Sequence, residues 1–344
     1  MTFWLDVAAF ALKSLTIVVA FGGLVAFAAF IAWRARGGEP AEPNLTIRSL
    51  DAHYDAMRDA LNDHLLDKKA RKALAKARAK DAKAEKAEPK RADRKRIYVL
   101  AFKGDLRATA VRMLATEIDA VLTVARPAID EVILRVESAG GAVTGYGLAA
   151  AQLMRLRDRK VKVTACVDQV AASGGYLMAC AADRIVAAPF AIVGSIGVVA
   201  QVPNLHRLLK RADVDYEEMT AGRFKRSVSM LGEITPQGRE HFRSKLDDTH
   251  EAFKHFVAQC RPSLDIERVG DGDVWLGREA LALGLVDAVS TSDDLLFSVR
   301  GEARLFEIAA ERRASLLQRL IGGFGAAARA ALEGVAARLS GAPK

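Results

Sequence analysis

Two short glycine-rich turns are the places in this sequence where chemistry is expected. They are residues 137–141 (ESAGG) and 171–175 (AASGG), and each follows an apolar strand-like run and precedes a helix-like one. The N-terminus of a helix presents unpaired N–H groups and the positive end of the helix dipole. Two such turns at the ends of neighbouring parallel strands would direct N–H groups at one point. That arrangement is what an oxyanion hole requires.

Ser173 is the candidate nucleophile. An apolar strand delivers it to the mouth of the second turn, and small neighbours leave its hydroxyl accessible, as in the elbow that exposes the nucleophilic serine of other hydrolases. The alternative is structural, because a serine before a helix often caps it by accepting a helix N–H. The two glycines after Ser173, and the matching pair one strand earlier, leave both interpretations open at this point.

A serine hydroxyl also needs a general base. The histidines are His53, His64, His206, His241, His250 and His255. None is expected at a strand-end turn, so a Ser-His-Asp triad is not predicted. Lys225 follows a strand predicted at 216–219. It can act as a base near neutrality only if its pKa is lowered, to which Arg223, Arg226 and the water-excluding ring of Phe224 could contribute. The alternative is an ordinary basic turn in contact with water, which would have the same composition.

Strands and helices alternate around these turns. Strand-like runs are predicted at 97–102, 131–136, 161–167, 184–187 and 192–201, and helices at 109–124, from the first turn to 157, and at 174–182. This alternation indicates parallel strands joined by crossover helices, so the predicted fold class is α/β.

Three further segments complete the predicted elements. Residues 185–202 are apolar enough for a membrane span, but Pro189, two glycines and many β-branched residues favour buried parallel strands. A helix is predicted to begin at Thr235, with Thr235 as N-cap and Pro236 at the first position. The stretch 305–339, rich in Ala and Arg, is predicted to be helical.

An apolar segment near the amino terminus is long enough to cross a bilayer. Residues 14–33 are 20 residues without a formal charge, and Arg34 and Arg36 follow at once. The alternative is a cleaved signal peptide with a cleavage-like site at 26–28, but the apolar core of such a peptide is only about 7–15 residues long. We therefore predict an uncleaved anchor. The count of Lys and Arg near the span places the folded body in the cytoplasm, by a small margin.

The basic charge of the chain is local. The 344 residues are 51% apolar and carry a net charge of +9, but residues 68–96 hold 14 Lys or Arg against 4 Asp or Glu. The remainder is therefore close to neutral, which argues against a nucleic-acid partner. Residues 50–66 have helical spacing of apolar residues, and 68–86 favour a helix without an apolar face. Such a segment is either simply solvated or attracted to anionic lipid headgroups.

The remaining side chains do not indicate a cofactor. Cys166 and Cys180 lie in apolar surroundings and are expected to be buried free thiols, and the third cysteine is Cys260. No paired spacing of metal ligands is found, so neither a metal nor another cofactor is predicted.

Two stretches, 170–176 (VAASGGY) and 194–198 (GSIGV), carry a resemblance to a known family. From the anchor to about residue 294 the chain resembles the S49 signal peptide peptidase group of serine proteases, most closely its SohB branch. The resemblance implies that Ser173 is the nucleophile and Lys225, 52 positions later, the general base. It also implies Gly141 and Gly174 as oxyanion donors, and it places Ser195 near the active centre, within reach of the lysine.

The resemblance implies an architecture as well. The fold would resemble Clp protease and crotonase, a curved spiral of strand-strand-helix units. Identical subunits would form rings or domes in which the lysine can come from a neighbour. The expected domains are a membrane anchor at 1–36, a basic helical stalk at 37–96, a peptidase domain at 97–300 and a helical extension at 301–344.

Substrate and location follow from the same resemblance. The expected substrates are apolar, extended peptides such as membrane-protein fragments. The expected location is the inner (plasma) membrane of a bacterial-type cell, crossed once. The family is usually regarded as acting on the outer side, opposite to the side that the charge count favours.

Two positions depart from the family pattern. Ala139 stands where Pro usually precedes Gly-Gly, and Phe224 stands where Tyr often precedes the lysine. Neither change removes a reacting group. Two other functions remain alternatives: a crotonase-like acyl-CoA enzyme, which also uses two backbone amides, and a membrane scaffold that keeps the peptidase fold without turnover.

Overall fold

The computed structural model describes residues 44–87 and 94–311, together with the single residues 22 and 27. The predicted anchor at 14–33 and everything beyond residue 311 lie outside this part of the chain, apart from those two positions. No helix within it is both long and apolar enough to cross a membrane.

The described elements alternate between strands and helices over most of the chain. The strands are β1 (Asn44–Ser49), β2 (Arg96–Lys103), β3 (Glu131–Glu137), β4 (Lys162–Val167), β5 (Val170–Ala172), β6 (Arg184–Ala187), β7 (Ile192–Gly194), β8 (Val274–Leu276), β9 (Ala288–Val289) and β10 (Arg304–Glu311). The helices are α1 (Leu50–Leu65), α2 (Lys68–Ala87), α3 (Val111–Val124), α4 (Val143–Asp158), α5 (Gly174–Ala179), α6 (His206–Arg211), α7 (Pro236–Cys260), α8 (Ile266–Val269), α9 (Gly277–Leu283) and α10 (Ser292–Ser298).

The strands form two sheets. The larger sheet has the order β1-β10-β2-β3-β4-β6-β9, and the pairings from β10 to β9 are all parallel. The smaller sheet has the order β5-β7-β8, with β5 and β7 parallel and β8 antiparallel. The predicted α/β class is confirmed.

The central strands of the larger sheet are buried on both faces. On β2, Leu100 belongs to the main core, which α3 and α4 help to form, whereas Val99 belongs to a second cluster with Leu50 of α1 and Leu296 of α10. A parallel sheet covered on both faces needs apolar residues at nearly every position of its strands. This requirement explains why the runs at β2, β3 and β4 could be recognised in the sequence.

The predicted start of the helix at Thr235 holds, whereas two other predicted boundaries and one predicted strand do not. Thr235 caps α7, because its hydroxyl accepts the Gly238 N–H at 3.0 Å. The strand expected at 192–201 ends at Gly194, and the helix expected to reach 182 ends at Ala179. The strand predicted at 216–219 is wrong. These residues are exposed and pair with no strand, and such a short run is not stable without a neighbour.

The helix predicted from residue 305 is also wrong for the residues described there. Residues Arg304–Glu311 form β10, which pairs in parallel with β2 and buries Leu305 and Ile308. The Leu305 N–H donates to a carboxylate oxygen of Asp51 at 2.9 Å. Burial between two strands therefore overrides the helix propensity of this Ala- and Arg-rich sequence.

The predicted helix after residue 50 is confirmed as α1, and its start is attached to α10. The Tyr54 ring meets the Phe297 ring edge-on at 6.0 Å, and the Arg300 guanidinium lies 5.5 Å from the centre of the Tyr54 ring. Asp55 forms an ion pair with Arg300. The part of the predicted stalk nearest the sheet thus packs against the body of the protein.

Candidate active site

Ser173 occupies a sharp turn between β5 and α5. Its backbone has φ +52° and ψ −119°, a conformation that costs a residue with a side chain about 1–3 kcal/mol. Two hydrogen bonds hold it: the Ser173 N–H donates to the Gly194 carbonyl at 2.8 Å, and the Leu177 N–H donates to the Ser173 carbonyl at 2.9 Å. A strained strand-to-helix turn of this kind exposes the nucleophile in other hydrolases.

The Ser173 hydroxyl is not used as a helix cap. It makes no capping bond to α5 and no hydrogen bond to any residue that the structure describes. The side chain is half-buried and lines a cavity. The capping interpretation is therefore excluded, and the hydroxyl is open to a ligand.

The two glycine-rich turns are in contact. Ser138, just after β3, pairs with Ala171 of β5: its N–H donates to the Val170 carbonyl at 2.8 Å, and its carbonyl accepts the Ala172 N–H at 3.0 Å. Gly140 has φ +93°, and a Cβ placed on it would lie 2.8 Å from the Gly174 nitrogen and the same distance from the Ser173 Cβ. The neighbouring position predicted for the turns is confirmed.

The predicted oxyanion donor in each turn is left without an acceptor among the described residues. In the first turn the Gly140 N–H donates to the Ser138 hydroxyl oxygen at 3.0 Å, and the Ala142 N–H donates to the Leu106 carbonyl at 2.7 Å. Between them, the Gly141 N–H reaches no acceptor in the described part of the chain.

The second turn repeats this arrangement. The Ser173 N–H is engaged with Gly194, whereas the Gly174 N–H, at the first position of α5, reaches no acceptor among the described residues. Gly141 and Gly174 both line the cavity beside Ser173. Both amides are therefore available to a developing oxyanion.

The cavity is large and mostly apolar. Its volume is about 1060 Å³, which suits a peptide segment. Apolar lining residues include Leu106, Val143, Leu177, Val198, Phe253 and Phe256, and polar ones include Ser195, Thr249, His250 and Asp271. Nowhere in the described ranges do three or more His, Cys, Asp or Glu side chains gather as a metal site would require.

Ser195 lies on the cavity wall at the end of β7. Its backbone has φ +51°, and its N–H donates to the Asp273 carbonyl at 2.6 Å. Its hydroxyl makes no hydrogen bond to a described residue, Lys225 included. The structure thus brings Ser195 to the cavity that Ser173 lines but does not bring it to the lysine.

His250 is a cavity residue that the sequence analysis did not single out. Its Nε2 lies 3.0 Å from the Ile196 carbonyl and 2.6 Å from the Gly270 carbonyl. Both partners can only accept, so Nε2 carries a proton and cannot act as a base at that atom. Its role is to join the loops after β7 and α8. The sequence does indicate that His250 faces the interior, because it lies three residues before Phe253 and seven before Val257, on the same face of α7.

Lys225 does not reach the cavity within one chain. The side chain is exposed and is absent from the cavity wall. The Phe224 ring stacks on the His241 ring at 4.0 Å and fixes this loop to the start of α7. The neighbouring arginines are engaged elsewhere, with Arg223 over the Phe224 ring and Arg226 paired with Glu218 at 3.3 Å. Ser173 and Lys225 are therefore not brought together by the folding of a single chain.

The segment that carries Lys225 exposes a large amount of apolar surface. We call residues 198–235 the arm. Its large exposed apolar side chains are Val199, Val202, Leu205, Leu208, Val214, Tyr216, Met219, Phe224 and Met230, with Met219 90% exposed. An apolar surface of this extent is typical of a protein interaction site.

Comparisons with known proteins identify the family of the chain. The description "Peptidase family S49 N-terminal" matches residues 2–153, and "Peptidase family S49" matches residues 155–305. The chain is 52% identical over 223 residues to "Probable protease SohB" of Haemophilus influenzae, covering 65% of this chain and 63% of that protein. It is 50% identical over 227 residues to "Probable protease SohB" of Buchnera aphidicola, covering 66% of this chain and 67% of that protein.

These matches do not extend over whole proteins. The match spans less than two thirds of the length of the Haemophilus influenzae relative. A solved structure of a "1510-N membrane-bound stomatin-specific protease" aligns over 60% of this chain and 86% of that chain, with 17% identity and a TM-score of 0.37. That likeness is too distant to bear on the site.

Proposed function

Because the chain belongs to peptidase family S49, we propose that it is a serine-type endopeptidase with Ser173 as nucleophile and Lys225 as general base. One observation carries the proposal. Ser173 stands in a strained turn with its hydroxyl unbound, between two glycine amides that have no acceptor among the described residues, on the wall of a mostly apolar cavity.

The geometry supports acyl transfer in two steps. The Ser173 oxygen attacks a peptide carbonyl while neutral Lys225 takes its proton. The Gly141 and Gly174 N–H groups donate to the carbonyl oxygen as it becomes negative. Lys225 then returns the proton to the departing amine, and water releases the acyl group. Ser195, with a free hydroxyl on the cavity wall, is positioned to contact the incoming lysine.

The lysine is proposed to come from a second copy of the chain. Lys225 lies on the arm, whose exposed apolar side chains provide a surface for another copy to cover. Docking of the arm against a neighbour would take Lys225 out of water, which lowers the pKa of an amine and makes a neutral base accessible. A homo-oligomer completes the site in this account.

Apolar, extended peptides are the proposed substrates, with membrane-protein fragments as the source. Side chains such as Leu106, Val143 and Phe253 give the cavity an apolar wall. Asp271 is the one carboxylate among its described lining residues, so the wall favours uncharged substrates. Neither a metal nor a nucleotide is required by this chemistry.

The larger architecture is also a proposal. Residues 1–36 would anchor the chain by a single crossing of a bacterial inner membrane, and the basic helix α2 would belong to a stalk. Because β1 and β10 are strands of the larger sheet, the peptidase domain would include them, and the extension would begin only after residue 311. The succession β4, β5, α5 supports a spiral of strand-strand-helix units like that of Clp protease and crotonase.

Hydrolysis by the full-length protein in detergent tests the proposal. We expect cleavage of casein and of a fluorogenic apolar peptide, and a loss of at least about 1000-fold in Ser173→Ala. The matched control is Ser244→Ala on the exposed face of α7, which should retain full activity. Equal activity of the two variants would exclude Ser173 as nucleophile, and no turnover by the unmodified chain would favour the scaffold alternative.

A further inference from the structure

A chain of hydrogen bonds starts at the first glycine turn and ends in the loop after β2. The Gly140 N–H donates to the Ser138 hydroxyl oxygen at 3.0 Å, the Ser138 and Tyr146 hydroxyls are 2.5 Å apart, and the Tyr146 hydroxyl donates to the Asp105 carbonyl at 2.8 Å. Ser138 is 2% exposed and Tyr146 is fully buried.

The direction of every bond in this chain is determined. The Asp105 carbonyl can only accept, so the single proton of the Tyr146 hydroxyl is used there. The Ser138 hydroxyl must then donate to the Tyr146 oxygen, which leaves the Ser138 oxygen to accept from Gly140. Burial raises the pKa of Tyr146, so its hydroxyl keeps the proton that the chain needs.

The same tyrosine touches the second turn through its ring. A Cβ placed on Gly174 would collide with the Cβ, Cγ and Cδ2 atoms of Tyr146, so the ring packs directly against the Gly174 backbone. Phe102 supports the ring from another side, edge-on at 6.1 Å. Tyr146 therefore contacts one glycine turn through its hydroxyl and the other through its ring.

We propose that Tyr146 and Ser138 are positioning residues that set the separation and direction of the Gly141 and Gly174 N–H groups. The inference rests on the proposed function and adds to it the residues on which the oxyanion hole depends. Ser138 does not line the cavity, whereas Tyr146 forms part of its wall next to the glycine turns. Ser138 fixes Gly140, the amide next to Gly141, and the Tyr146 ring fixes the backbone at Gly174.

Tyr176 provides a matched control. It is fully buried like Tyr146, and its hydroxyl donates to the Leu285 carbonyl at 2.9 Å, away from the two turns. Replacing either tyrosine by phenylalanine removes one buried hydroxyl that donates to one backbone carbonyl, but only Tyr146→Phe also removes the acceptor of the Ser138 hydroxyl. Tyr146→Phe should therefore cost more stability than Tyr176→Phe, and the two substitutions should differ chiefly in their effects on catalysis.

The test compares Tyr146→Phe, Ser138→Ala and Tyr176→Phe in the full-length protein. We expect Tyr146→Phe and Ser138→Ala to lower kcat about 10- to 100-fold with KM unchanged, somewhat less than removal of an oxyanion donor. Inhibition by a peptide aldehyde, which forms a tetrahedral adduct with a serine, should weaken by the same factor. Inhibition by the matching peptide alcohol should not change. Tyr176→Phe should leave all these quantities within about twofold.

Two further results complete the test. The double variant Ser138→Ala/Tyr146→Phe should be no worse than the more impaired single variant, because both act through one hydrogen-bond chain. If Tyr146→Phe does not fold, Ser138→Ala decides the question, since it leaves the ring in place.

The inference is overturned if Tyr146→Phe and Ser138→Ala behave like Tyr176→Phe, or if aldehyde and alcohol weaken equally. A chain that neither hydrolyses peptides nor binds the aldehyde would refute the proposed function instead. The positioning role is then judged by amide hydrogen exchange in residues 139–142, which must be faster in Tyr146→Phe than in Tyr176→Phe.

Discussion

The Ser173 N–H donates to the Gly194 carbonyl at 2.8 Å, so the turn ahead of α5 is fastened to the end of β7. The bond holds Ser173 at φ +52°. It also removes the Ser173 amide from the set of available donors, which leaves Gly174 as the first free amide of the helix. The neighbouring strand thus determines both the direction of the hydroxyl and the identity of one oxyanion donor.

The strain at Ser173 predicts an unusual order of stabilities. Ser173→Gly should be more stable than Ser173→Ala by about 1 kcal/mol, because glycine adopts this backbone without strain and loses part of that gain to its greater freedom when unfolded. Thermal unfolding should show a melting temperature roughly 2–4 °C higher for Ser173→Gly. The same pair at Ser244, an exposed position within α7, should have the opposite order. An identical order at both positions would show that the turn is not strained.

The Phe224–His241 stack predicts a loss of activity without a loss of fold. Phe224→Ala should lower kcat/KM about tenfold, because the loop that carries Lys225 would no longer be fixed to α7. The melting temperature should change little, since such a ring contact contributes only about 0.5–1.5 kcal/mol. Phe190→Ala is the control, as Phe190 is 81% exposed. If both variants have the same activity, the stack does not position the lysine.

Glu117 predicts a pH dependence of stability. Burial raises the pKa of Glu117 to about 7. One of its oxygens accepts the Ala310 N–H at 2.8 Å, and the other has no partner in the described structure. Because the folded chain holds the proton more tightly than the unfolded chain, the stability associated with the protonated acid is complete below about pH 4.5. It is lost as the pH rises through about 7.

Urea unfolding at a series of pH values measures this effect. Between pH 4.5 and pH 8 the unfolding free energy of the unmodified chain should fall by roughly 2–3 kcal/mol relative to Glu117→Gln. For Glu240→Gln, at an exposed position of α7, the unfolding free energy should differ from that of the unmodified chain by the same amount at every pH. A constant difference for Glu117→Gln as well would show that the carboxyl is ionised without penalty.

The proposed anchor predicts a distinctive fractionation. The full-length chain should remain with the membrane pellet after an alkaline carbonate wash, because an apolar segment of 20 residues is long enough to cross the bilayer. A chain that starts at residue 37 should be released by carbonate. If that shorter chain stays on membranes until the salt is raised, the basic segment 68–96 is attracted to lipid headgroups. Release of the full-length chain by carbonate would contradict the anchor.

The sequence predicted the parts of this structure that local patterning determines. Continuous apolar runs identified β2, β3 and β4, since a parallel sheet covered on both faces leaves few polar positions. The order Thr235-Pro236 identified the start of α7, because capping is a local interaction. The paired glycine turns predicted that the two turns lie side by side, and the structure joins them through a parallel bridge between Ser138 and Ala171. The roles of Ser173, Gly141 and Gly174 came from the resemblance and stay predictions.

The predictions that failed concern residues whose structure depends on contacts between distant segments. Residues 304–311 have a helix-prone composition but form β10, because they pair with β2, which lies 208 positions earlier in the chain. The strand predicted at 216–219 has no neighbouring strand among the described residues. His250 and Tyr146 were missed because the importance of each depends on which loops it ties together. The position of Lys225 could not be explained from a single chain, since no contact within the described residues brings it to Ser173.

A fluorophosphonate, which reacts with an activated serine, tests the Ser173–Lys225 pair most directly. The rate of labelling should be at least about 100-fold lower in Lys225→Ala, as expected for loss of a general base, and unchanged in Lys245→Ala, at an exposed position of α7 outside the arm. Mixing Lys225→Ala chains with Ser173→Ala chains should restore labelling of the Lys225→Ala chains, because each neighbour supplies the missing amine. Labelling of Lys225→Ala alone at the rate of the unmodified chain would contradict the account.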